Sequence, residues 1–344
     1  MRKYVSIQYL RGLAAVLVVG AHAIHSPNAI LGGSGVDIFF VISGFIMWTL
    51  TAERETTPLK FLRRRISRIV PLYWGFTALL VGGFLAIPSA FPHFQFTWSE
   101  LLYSLGFIPF HNTTNDQVRP VLQQGWTLNY EMMYYVIMAF ALQFQSNVRL
   151  AVVAGALLLM PAVGLFVPHE SALGNNMTNP LIIEFLAGIG IAILASTDRL
   201  PSPAMAAGML ALAGAGYLIA AVYVGEEGPP YRVISWGLPG ALLVLGMLTL
   251  EQKTNFQQSP LLLLVGDASY SIYLSHTFTI SIANKVAGLL HAGPEFKDSG
   301  LMSLIVIPAC VLGGIAVYWV FERPLLGLGK RQQASVSGLR QRSL

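Results

Sequence analysis

Apolar positions run along this chain in windows of about 20 residues, the length a helix needs to cross a bilayer, and short polar breaks separate them. The windows predict helices near residues 9–25, 35–52, 69–88, 126–145, 149–167, 180–196, 203–224, 231–250, 266–290 and 302–322. No stretch between them is large enough to build a separate soluble core. The piece from Trp98 to Phe110 is apolar but too short to span, and reads as a re-entrant or interfacial helix. The expected fold is all-α: a polytopic membrane protein of about ten transmembrane helices, with residues 1–329 forming one unit. Residues 330–344 are basic, rich in Ser and Gln and without apolar period, and read as a disordered cytoplasmic tail.

The placement of charge agrees with that count. Cytoplasmic loops are enriched in Lys and Arg. With the N- and C-termini both cytoplasmic, only Arg119, Arg232 and Lys297 of the 21 Lys and Arg residues fall outside, and Lys285 lies within the ninth helix. An odd number of helices would break this alternation midway. Only 11% of residues are charged, against roughly 25% in soluble domains, so water is not the main solvent. The net charge of +5 is spread between apolar segments, which topology explains without nucleic acid. The lone Cys310 sits in an apolar run, so neither an intrachain disulfide nor a thiolate metal cluster is expected, and no metal site is indicated. Arg2 and Lys3, followed by an apolar stretch and Ala21-His22-Ala23, imitate a signal peptide. More membrane follows, so this segment reads as an uncleaved helix.

Ionisable groups inside such helices cost roughly 2.5–3.5 kcal/mol each on insertion, which makes every one of them a functional candidate. Arg11 and His22 lie eleven residues apart in the first helix, about 16 Å along its axis and on nearly the same face. Arg11 is either an interfacial anchor or a ligand contact. His22 is either a packing histidine or a general base, since imidazole titrates near neutrality. Asp37 opens the second helix on the His22 side, as an N-cap or as a carboxylate that orients the imidazole. Glu131, in Trp126-Thr127-Leu128-Asn129-Tyr130-Glu131, enters from the same side and either joins that cluster or pairs with another helix. Arg63, Arg64, Arg65 and Arg68 stand before the third helix and Pro71-Leu72-Tyr73-Trp74. Positive-inside anchoring explains such a cluster, and so does a pair of guanidinium forks for phosphate. The ninth helix places Asp267 near its start, as a cap, and Tyr270 and His276 deeper, where His276 has a candidate role in substrate contact.

In these residues the chain resembles the membrane-bound acyltransferase 3 family, marked by Arg or Lys, ten residues, then His in the first helix. The match continues through Gly35 to Phe45, Arg65-Ile66-Ser67-Arg68 with Pro71, Trp126 to Glu131, Ser269 to His276, and Glu322-Arg323-Pro324. The opening Ser6 to Gly12 is most similar to the exopolysaccharide O-acetyltransferases of the ExoZ type. The resemblance implies an acyltransferase of a bacterial inner membrane with acyl-coenzyme A, specifically acetyl-coenzyme A, as donor on the cytoplasmic side. A glycan hydroxyl, free or lipid-linked, is the implied acceptor. His22, Asp37 and Glu131 are the expected catalytic residues. Arg11, Arg65, Arg68 and Tyr73 are expected to hold the donor, and Trp126, Asn129, Tyr270 and His276 to meet the substrate. A transporter or flippase of a lipid-linked sugar uses similar buried charges and is the competing class, but no internal repeat supports it. A non-catalytic scaffold requires none of these groups.

Overall fold

A computed structural model describes residues 4–24, 31–52, 56–166, 171–223, 231–290 and 300–327. The tail 330–344 and the positions Arg2, Lys3, Arg54 and Lys297 lie outside the described residues. Among those described there is no strand, only one isolated bridge between His111 and Val118. The helices are α1 Val5–Ala23, α2 Ser34–Ala52, α3 Pro58–Ala86, α4 Trp98–Leu105, α5 Trp126–Ala141, α6 Ser146–Gly164, α7 Ala172–Thr178, α8 Ile183–Ser196, α9 Pro203–Tyr223, α10 Leu238–Lys253, α11 Pro260–Asp267, α12 Ser269–Leu289 and α13 Gly300–Val317. Among the described residues, eight helices are long and apolar enough to cross a membrane. The all-α polytopic reading holds. The eight do not include α5 or α12, although the apolar windows mark both as crossings. α5 has only 16 residues, and α12 spends its apolar character on serines, tyrosines, a histidine and Lys285. These two helices carry much of the candidate chemistry.

Two helix boundaries differ from expectation for local reasons. α3 begins at Pro58 rather than near residue 69, because the Thr57 side chain accepts from the Lys60 amide and Pro58 occupies the first turn, where its missing N–H costs nothing. Arg65 and Arg68 are therefore helical and, three apart, share a face. The expected helix 266–290 is broken at Ala268, whose backbone (φ −83°, ψ −1°) ends α11 and starts α12.

At the centre, α2 is the most enclosed span, whereas α6, α9 and α13 expose most of their surface. α2 and α8 approach closely because glycines stand at their crossing. A Cβ on Gly44 would run into the Phe185 carbonyl, and one on Gly188 into the Val41 carbonyl. In a bilayer, where lipid supplies no hydrophobic drive between helices, this small-residue contact is what lets the backbones pack. Around it, Phe40, Tyr134 and Phe185 form the aromatic core, with Tyr134 and Phe185 stacked at 4.3 Å.

Candidate active site

Two cavities lie back to back within the bundle. The first, of about 90 Å³, gathers Arg11 from α1, Ser43 from α2, Arg65 and Arg68 from α3, Thr127, Glu131 and Tyr135 from α5, and Ser269, Tyr270 and Tyr273 from α12. Among its described lining residues Glu131 is the one carboxylate, set against three guanidinium groups. Glu131 is held by two hydroxyls: Ser43 donates to Oε1 at 2.5 Å and Tyr135 to Oε2 at 3.2 Å. Tyr270 donates to the Ile69 carbonyl at 2.7 Å, tying α12 to the arginine-bearing helix. Beside this cavity Ser271 donates to Glu322 at 2.5 Å, which explains why Glu322 tolerates burial. An arginine-rich, partly buried cavity with so little opposing charge suits a ligand that brings several negative charges.

The second cavity is larger, about 630 Å³, and is lined by His22, Arg119, Gln124, Trp126, Arg232 and Lys285 among others. The exposed His22 ring donates from Nδ1 to the Val18 carbonyl at 2.9 Å. A carbonyl only accepts, so this bond fixes the proton on Nδ1 and leaves the Nε2 lone pair as the basic site. The ring of the fully buried His276 lies 4.9 Å from it, edge to face, and His276 likewise donates from Nδ1, to the Tyr273 carbonyl at 2.6 Å.

The two cavities share Val36 and Tyr273. Tyr273 donates its hydroxyl proton to the Gln124 carbonyl at 2.5 Å, so at 2.9 Å it must be Thr127 that donates to Tyr273. This tethered ring forms the wall between an arginine chamber and a histidine chamber. Arg11 and His22, eleven residues apart on α1, stand on opposite sides of it.

The structure sorts the residues that sequence singled out. Arg11, Arg65, Arg68, Glu131 and Tyr270 meet in the arginine chamber; His22 and Trp126 line the histidine chamber, with His276 packed behind. Asp37 does not contact His22 through a hydrogen bond. Its carboxylate accepts from Arg232 Nε at 3.0 Å and Nη2 at 2.8 Å, and Arg232 also donates to the Gly33 carbonyl. The imidazole is thus oriented by a backbone carbonyl, where a carboxylate from Asp37 or Glu131 was expected. Tyr73 and Asn129 line neither cavity: Tyr73 is fully buried, stacks on Phe107 and donates to the Ser104 carbonyl, and Asn129 is buried in α5. Sequence reasoning missed Arg232, Arg119 and Tyr273. In the sequence Arg119 reads as a loop charge and Arg232 as a charge at the outer end of the predicted helix 231–250, and Tyr273 is one of three closely spaced tyrosine and histidine positions with nothing to rank it.

A family model described as an acyltransferase domain matches residues 4–323, nearly the whole chain. The chain belongs to the acyltransferase 3 family. This acyltransferase is 39% identical to the exopolysaccharide production protein ExoZ of Rhizobium meliloti over 311 residues, covering 90% of this chain and 94% of that one. It is also similar to the acyltransferase MdmB of Streptomyces mycarofaciens, at 23% identity over 93% of this chain and 87% of the relative. Against the peptidoglycan O-acetyltransferase OatA of Listeria monocytogenes the identity is 28% over 83% of this chain, which spans 51% of that longer protein. No solved structure gives a significant match. Among the described residues of this acyltransferase, no group of His, Cys, Asp and Glu is arranged to hold a metal ion.

Proposed function

We propose that this acyltransferase moves an acetyl group from acetyl-coenzyme A, bound from the cytoplasmic face of the bacterial inner membrane, to a hydroxyl of an exopolysaccharide or its lipid-linked precursor on the other side of Tyr273. The observation that carries the reading is the pair of abutting chambers, one built for a polyanion and the other presenting a basic histidine nitrogen. The similarity to ExoZ over nine tenths of the chain favours a polysaccharide acceptor, and the similarity to a peptidoglycan O-acetyltransferase favours acetyl as the group moved. Arg11, Arg65 and Arg68 bind the phosphates of the donor. The distribution of Lys and Arg, with both termini cytoplasmic, supports the arginine chamber facing the donor side.

In the transfer the thioester C–S bond breaks and an ester C–O bond forms. Two routes lead there. In direct attack by the sugar, His22 Nε2 takes the proton of the hydroxyl and passes it to the departing thiolate, which leaves as the free thiol. In the covalent route Nε2 itself attacks the thioester and expels the thiolate, and the sugar hydroxyl then breaks the new C–N bond while its proton passes to the thiolate. In both, the Val18 carbonyl stabilises the charged or acylated ring through Nδ1–H, as a carboxylate does in hydrolase triads.

The test is transfer of radiolabel from acetyl-coenzyme A to surface polysaccharide by the purified protein in detergent. Wild-type protein should label the polymer, and His22→Ala should abolish labelling while leaving expression and membrane insertion intact. Near-normal turnover by His22→Ala removes His22 from the mechanism, and movement of unmodified substrate without label transfer would favour the transporter class.

A further inference from the structure

The histidine chamber has a charge that acetyl transfer to a neutral sugar does not require. None of its described lining residues is Asp or Glu, yet Arg119, Arg232 and Lys285 all face it. It continues into a side pocket of about 270 Å³ that shares Arg119, Trp126 and Arg232 and adds Gln117, Asn175 and Asn179, again with no described carboxylate. Arg119 and Arg232 both lie against the Trp126 ring, 5.9 and 5.7 Å from its centroid. Asp37 balances one of these two guanidinium groups through its two-point pairing with Arg232. Among the described residues, no Asp or Glu of either lining balances the other. Burial, with the like charge of Arg232 nearby, pulls Arg119 below its ordinary guanidinium value. Lys285 spends itself on the Ala90 carbonyl at 3.2 Å and on the Phe91 ring, again without a carboxylate. Amide side chains, an indole face and unbalanced guanidinium groups around one cavity form a surface for a sugar that carries its own negative charge.

We infer that the acceptor is an anionic glycan, whose oxyanion docks at Arg119 and the Arg232 edge so that a neighbouring hydroxyl lies within reach of His22. This rests on the acetyl-transfer reading and names the acceptor's chemistry. The oxyanion has two possible sources with the same recognition chemistry: a carboxylate on the sugar, or the pyrophosphate of a lipid carrier.

The experiment is equilibrium dialysis of the purified protein in nanodiscs, without donor, against three probes: tetragalacturonate, its carboxyl-reduced neutral counterpart, and a neutral tetrasaccharide on a short prenyl pyrophosphate. The charged probes should bind more tightly than the neutral one. Arg119→Gln should weaken the charged probes about 10- to 100-fold and leave the neutral one unchanged, with Arg119→Lys recovering part of the loss. Preference for tetragalacturonate assigns the charge to the sugar, and preference for the pyrophosphate probe assigns it to the carrier. Equal or undetectable binding of all three probes overturns the inference, as does a charge preference that survives Arg119→Gln. If Arg119→Gln fails to fold, the wild-type comparison of charged and neutral probes still decides, because equal binding of the three overturns the inference. Because no donor is present, loss of acetyl transfer with charge preference intact sinks only the acetyl reading.

Discussion

The Asp37–Arg232 pair permits a quantitative test, because its two members are unequally placed. The Asp37 side chain is fully buried, whereas a quarter of the Arg232 side chain remains exposed to the cavity. Glu184, also buried, lies beside Asp37. Replacing Arg232 with Gln strands a carboxylate in the protein interior with a second carboxyl next to it, which costs about 3–5 kcal/mol for a broken buried pair. Replacing Asp37 with Asn leaves a guanidinium that reaches the cavity, and the loss falls to about 1.5–3 kcal/mol, the range for a hydrogen bond to a charged group. The double variant removes both charges and should cost less than the two single changes added together, by about 1–3 kcal/mol of coupling. Unfolding in mixed micelles with rising dodecyl sulfate, followed by circular dichroism, ranks the three variants. If Arg232→Gln proves no worse than Asp37→Asn, or if the double variant equals the sum, the pair is not what holds α2 to the segment leading into α10.

Two further outcomes follow from the geometry. Arg68→Ala should weaken acyl-coenzyme A binding by the purified protein while leaving binding of acceptor probes unchanged; unchanged donor affinity removes Arg68 from the phosphate site. Gly188→Ala should lower the thermal midpoint of the detergent-solubilised protein, at a cost of about 1–3 kcal/mol for forced overpacking, since its new methyl meets the Val41 carbonyl; a midpoint at the wild-type value refutes the tight α2–α8 crossing.

What the sequence made legible was what lies on one helix. Apolar windows located the spans, and the Arg11 to His22 spacing placed both residues on one face of α1, where the structure puts each in its own chamber. The arginines before Pro71 were legible as a cluster, but their place inside α3 depended on a Thr57–Pro58 start upstream of the apolar window. Partnerships across helices were not legible. Arg232 lies 195 residues from Asp37, and nothing in its neighbourhood distinguishes it from an anchoring charge at the outer end of a span. The Val18 carbonyl that orients His22 is backbone, present at every position, and only the rotamer of the ring selects it. Tyr73 was misleading for the opposite reason: its proximity to the arginines in sequence suggested donor contact, while its ring serves packing against Phe107.

The hydroxyl-tethered ring of Tyr273 has a meaning for the cell as well as for the reaction. A duct open to both compartments would let protons and small ions run down their gradients each time the enzyme worked. With only Val36 and the tethered Tyr273 ring common to the described linings of the two chambers, a passage between them need be no wider than the group transferred. If donor and acceptor bind on opposite sides of that ring, as proposed, neither has to cross, and the membrane stays electrically sealed during the transfer.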